Sequence, residues 1–135
     1  MIRQRPEILA YWMLKNNSAG HALMTNYDIR PTYFIYQLYK QFGNHLLAAS
    51  SDGPMVSVFA ARRDDGTVTV MIVNRAPDPV RKRLQLGNGS GFTLSEAYLF
   101  DQDHLKAAEV QPPAFKNGDT VEFGGRSVVL YIFKP

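Results

Sequence analysis

The chain has 135 residues, 45% of them hydrophobic and 12% aromatic, with 15 basic and 12 acidic residues for a formal net charge of +3. That length suits one domain, and the composition suits a packed core rather than a disordered segment. There is no cysteine, which excludes disulfides and thiolate metal sites but leaves the compartment open between cytoplasmic and secreted.

The first residues, "MIRQRPEILAYWMLKNN", begin basic, but the apolar run is short and lacks a small-residue cleavage site. They do not read as a signal peptide. No apolar run approaches the roughly 18 residues of a spanning helix, so no membrane partner is expected. Residues 8–14, "ILAYWML", have the length of a strand buried on both faces, although a helical turn fits the same run. "KNNSAGH" then reads as a polar loop and "ALMTNYDIR" as extended or irregular chain.

"RPTYFIYQLYKQFG" (30–43) predicts a helix. Pro31 suits the first helical position, Asp28 is a candidate cap, and Gly43 stands where a left-handed C-terminal cap belongs. Phe34, Ile35, Leu38, Tyr39 and Phe42 form a wide apolar stripe, broadened by Tyr33 and Tyr36. So aromatic a helix implies a partner, either within the chain or in a second copy, giving a homo-oligomer through the helix face.

From residue 46 the period becomes two. In "MVSVFAAR" Val56, Val58 and Ala60 oppose Met55, Ser57 and Phe59, and in "TVTVMIVN" Val68, Val70 and Ile72 oppose Thr67, Thr69 and Met71. Between them "DDG" marks a hairpin in which Gly66 takes positive φ. "VRKRLQL" sets Val80, Leu84 and Leu86 against Arg81, Arg83 and Gln85. "FTLSEAYLF", "TVEF" and "SVVLYIF" supply further strands, the last two around a Gly124-Gly125 turn. The expected fold is mainly β: an antiparallel sandwich of about seven or eight strands with one N-terminal helix. The basic clusters, Arg62-Arg63 and Arg81-Lys82-Arg83, lie at strand ends or on a polar strand face. They read as solvated hairpin surface, and no nucleic-acid partner is expected.

Hydrolytic chemistry needs converging groups; a glycosidase uses two carboxyls about 5–9.5 Å apart. Most of the carboxylates here fall in turns. Glu96 shares the phase of Phe92, Leu94, Tyr98 and Phe100, which leaves it either an inward catalytic group or the mark of a bulge or edge. His21, His45 and His104 lack metal-ligand spacing, and "DQDH" lacks the glycine and glutamate of a calcium loop. No metal or other cofactor is implied, and no self-contained active site is visible. Trp12 is the lone tryptophan, placed just before a polar loop. It is either a core residue or a sugar-stacking platform, with Asn17 and His21 as candidate rim residues for substrate.

"EILAYWMLKNNSAGHALMTNYDIRPTYFIYQLYKQFGNHLLAAS", with "VSVFAARRDDGTVTVMIVNR" and "GGRSVVLYIF", resembles the C-terminal end of retaining glycoside hydrolases of the (β/α)8 superfamily. The likeness is greatest to α-L-arabinofuranosidases and β-xylosidases of families 51 and 39. The resemblance implies that residues 1–47 are the last strand–loop–helix unit of a β/α barrel and 48–135 an accessory β-sandwich. It matches Trp12 to the strand-eight aromatic beside the sugar subsite. The catalytic glutamates of such enzymes lie on earlier barrel strands and match nothing here, so the chain alone is expected to be inactive. The sandwich in these enzymes often borrows a strand from the enzyme's N-terminal side. The implied partners are a catalytic barrel and carbohydrate. The alternative is a free-standing carbohydrate- or protein-binding module, favoured if Tyr98, Phe100, Phe115 and Tyr131 form an exposed aromatic face.

Overall fold

A computed structural model describes residues 13–17, 21–87 and 91–135. One helix, α1 (Pro31–Gln41), precedes eight strands: β1 (His45–Leu47), β2 (Val56–Arg62), β3 (Val68–Asn74), β4 (Val80–Arg83), β5 (Thr93–Phe100), β6 (Ala108–Val110), β7 (Thr120–Phe123) and β8 (Ser127–Lys134). They form an antiparallel sandwich of unequal halves. Among the described residues one sheet has six strands in the order β1-β2-β3-β8-β5-β6, and the other has β4 and β7.

The period-two faces segregate as alternation requires. Val56, Val70, Ile72, Val129, Tyr131 and Phe133 meet Phe123 between the sheets. Met71, Leu130 and Ile132 project from the opposite face onto Leu38 of α1, with Ile35, Tyr39 and Phe42 packed beside it. The large sheet is thus the middle of three layers, and β8, buried on both faces, reads as an unbroken apolar run. Among the described residues no helix is long and apolar enough to cross a membrane.

Two features of α1 differ from expectation. Its N-cap is Arg30, in extended conformation with no side-chain cap, rather than Asp28. The hydroxyl of Thr25 instead accepts the Asp28 N–H in a local turn. The C-terminal end does not wind into the left-handed region, because Phe42 is extended (φ −71°, ψ 142°). Gly43 serves another purpose: a Cβ there would lie 2.7 Å from the backbone C and O of Arg62. Its N–H donates to Thr69 Oγ1 at 2.9 Å, and the Arg63 guanidinium donates to the last helical carbonyl, Gln41 O. Missing side-chain bulk and three hydrogen bonds seat the helix end on the sheet.

Strand β5 carries a register shift between Leu94 and Glu96. Leu94, Ala97 and Leu99 therefore face the inter-sheet core, while Tyr98 and Phe100 face the helix side. The phase read from sequence, which grouped Leu94 with Tyr98, fails at Ser95. That residue is the bulge, and its hydroxyl donates to Ile132 O at 3.0 Å.

The far end of the sandwich is locked by Asn74, which is 1% exposed. Its Nδ2 donates to Gly124 O at 2.8 Å and Asp78 O at 3.2 Å, and its Oδ1 accepts the Ala76 N–H at 3.0 Å. In the adjoining β7–β8 turn the positive φ belongs to Arg126 (47°). Gly125 is needed for space, since a Cβ would sit 2.0 Å from Pro77 O.

Candidate functional site

The inequality of the sheets leaves a cleft. At about 4.8 Å per strand interval, six strands span roughly 24 Å and two span roughly 5 Å. The inner face of β2, where Val58 and Ala60 are half-buried, therefore extends beyond the two-strand cover, while Val70 and Ile72 of β3 are buried. The resulting hollow has a volume of about 990 Å³, floored by Val58, Ala60, Val70 and Ile72 and walled by Lys82 through Leu86. The segment 47–52, between β1 and β2, closes its far side.

Among the described residues, the wall of this cleft is an open strand edge. Leu84 exchanges hydrogen bonds with the β7 side, its N–H donating to Asp119 O and its carbonyl accepting the Gly118 N–H, both at 2.9 Å. Backbone groups alternate in direction along an antiparallel strand. Those of Arg81 and Arg83 therefore point away from β7, toward the cleft side.

The charges here are more specific than hairpin surface. Arg81 reaches Glu122 of β7 at 2.8 Å, and Arg83 Nε donates to Gly118 O at 3.0 Å. Lys82 shares the inward phase of Val80, Leu84 and Leu86. Its ammonium lies at the mouth of the apolar cleft, 2.7 Å from Asp52 Oδ1. The hydrogen bond and charge of Lys82 hold the Asp52 carboxyl below its ordinary range. An inward lysine was legible in the sequence, since Lys82 sits between Val80 and Leu84 in a strict alternation.

Several other carboxylates serve turns and ion pairs. Asp64 meets His45 at 2.7 Å, and Asp65 caps the hairpin through the Thr67 N–H at 2.9 Å. Asp101 Oδ1 accepts the backbone N–H of Asp103 and His104 and contacts His104 Nδ1 at 2.8 Å, which makes "DQDH" a self-capped turn. Glu96 faces the helix side between Lys134, at 3.0 Å, and the Tyr98 hydroxyl, at 3.3 Å. Among the described residues no cluster of His, Asp and Glu is arranged to hold a metal.

Of the candidate substrate residues, Trp12 lies outside the described residues. Asn17 and His21 are exposed in the segment before α1, where Asn17 Oδ1 accepts the Asn26 N–H at 2.8 Å. The four aromatics that would have made a binding face are not exposed. Tyr131 is core at 5% exposure, Phe115 packs edge-on against Phe133, and Tyr98 and Phe100 are half-buried under α1.

An antiparallel two-sheet sandwich with one helix layered on its larger sheet defines a β-sandwich domain. Residues 54–130, more than half of the chain, match the family model of the D-apionate lactonase C-terminal immunoglobulin-like domain, and the chain belongs to that family. No functionally curated protein matches it in sequence.

Among solved structures, it is similar to a glycoside hydrolase family 30 subfamily 8 xylanase from Clostridium acetobutylicum. That match has TM-score 0.73 and 14% identity and covers 88% of this chain and 32% of that one. A family 30 xylanase C from Talaromyces cellulolyticus gives 0.66 and 23% identity over 88% and 28%. A family 44 xyloglucanase from Paenibacillus polymyxa gives 0.70 and 16% identity over 84% and 26%. These likenesses establish a shared fold, and the chain spans a third or less of each of those proteins.

Proposed function

We propose that this chain is the C-terminal part of a larger carbohydrate-active enzyme, in which the sandwich braces a (β/α)8 barrel, shapes its rim and is not itself catalytic. The observation that carries this reading is the six-against-two sandwich. Among the described residues the core is open along β4, with unpaired backbone beside an apolar floor, the gap that a strand from elsewhere in a longer polypeptide would fill. The small share of each similar enzyme that the chain spans supports the same reading.

In this arrangement residues 1–47 form the last β/α unit. The face of α1 bearing Leu38 rests on the sandwich, and the half-exposed Tyr33 and Tyr36 turn toward the barrel. Trp12 is the sugar platform at the barrel rim, flanked by Asn17 and His21. The likeness to arabinofuranosidases and β-xylosidases and the fold shared with xylanases and a xyloglucanase favour a plant-type polysaccharide or oligosaccharide as substrate. The family name adds a lactone as the second candidate bond.

The test is made on the full-length enzyme encoded by the continued reading frame. Deleting residues 48–135 is expected to lower its thermal midpoint and soluble yield, and an unchanged midpoint would overturn the bracing role. Assays with xylan, aryl arabinofuranosides and sugar-acid lactones then identify the bond cleaved.

A further inference from the structure

The open edge of β4 carries an unusual concentration of charge. Three consecutive cations, Arg81, Lys82 and Arg83, cover both faces of a four-residue strand. Each existing neighbour answers them with oxygen: Glu122 opposite Arg81, Gly118 O against Arg83, and Asp52 against Lys82. Charges at strand edges, inward-pointing ones in particular, are how sheets avoid pairing with copies of themselves.

A second copy meeting this edge in antiparallel register about Lys82 would set Arg81 against Arg83 of the other copy on the outer face. On the inner face it would set one Lys82 against the other. Like charges directly opposite are destabilising, more so beside an apolar floor where the effective dielectric is low. An incoming strand with carboxylates on its outer face would repeat the match that Glu122 already makes from β7.

We propose that the open β4 edge selects its strand by charge. It refuses a second copy of this chain and takes a strand that is apolar toward the cleft and acidic opposite Arg81 and Arg83. This rests on the strand-acceptor reading above and adds the chemistry of the strand.

The experiment follows amide hydrogen exchange at Arg81 and Arg83 by NMR in the whole 135-residue chain. Two end-capped probe peptides are compared, TVEVEVT and TVKVKVT. The acidic peptide is expected to slow exchange at both amides and to bind at least about tenfold tighter than the basic one at low salt, the gap narrowing at high salt. In the double variant Arg81→Thr, Arg83→Thr, whose new residues suit a strand, the preference is expected to fall toward parity. Equal protection by both peptides would overturn charge selection and leave the strand acceptor standing. Protection by neither would overturn both. Concentration-dependent protection without any peptide would reveal pairing of two β4 edges and would also sink the proposal.

Discussion

Gly43 shows how a residue can be identified correctly and explained wrongly. Its place after an apolar helical stripe suggests a left-handed cap, yet the chain leaves α1 extended and the glycine is required by the Arg62 backbone pressed against it. That contact joins residues far apart in sequence, so no local pattern encodes it. Gly43→Ala should cost about 1–3 kcal/mol, as overpacking against unyielding backbone does, measured by urea denaturation. Lys82 is the converse case: its inward phase was readable, but treating the basic triplet as surface hid it. Glu96 supplies the pH prediction. The hydrogen bond from Lys134 holds its carboxyl below the ordinary glutamate range, against partial burial that pushes it up. A depressed folded value means stability that is present above the unfolded value, about 4.3, and is lost as pH falls through the folded one. The melting temperature of the native chain should therefore fall more steeply below about pH 4.3 than that of Glu96→Gln. Parallel curves in a pH series of thermal melts would refute this.

Elements whose register follows from their own residues were legible. The helix, the β2–β3 hairpin with Gly66 at φ 86°, and the long strand β8 all announce themselves by period and turn chemistry. The three-residue strands β1 and β6 do not, because they are too short to show a period and exist only by pairing with β2 and β5. The bulge at Ser95 was equally hidden, since one extra residue flips every later side chain without altering composition. The helix layer depends on Leu38, 1% exposed against Met71, Leu130 and Ile132. Leu38→Ala should destabilise the chain by about 2–5 kcal/mol. Exchange of the α1 amides should rise with it, whereas a stability loss that spares the helix would show that α1 is not seated there.

At the scale of the whole molecule, an antiparallel sandwich of about seven or eight strands was the expectation from sequence, and the imbalance between its sheets appeared only in three dimensions. The candidate site was correspondingly less legible than the fold: the aromatics that suggested a binding face went into the core, and the open edge took its place. The purified 135-residue chain should release no chromophore from aryl xylosides or arabinofuranosides, and measurable turnover would contradict the reading of an accessory part. Within the full-length enzyme, Trp12→Ala should raise KM more than it lowers kcat, as loss of a stacking platform does; an unchanged KM would return Trp12 to the core.

Strand β8 has a consequence for how the protein is made. It is the last of the eight strands in sequence yet lies in the middle of the large sheet, between β3 and β5. During synthesis the three-stranded meander β1-β2-β3 and the pair β5-β6 emerge as separate half-sheets, each with an unsatisfied edge, and they cannot join until Ser127–Lys134 arrive. The two half-sheets thus stay unjoined until Ser127–Lys134 have emerged, and a chain lacking these residues would lack the strand that joins them.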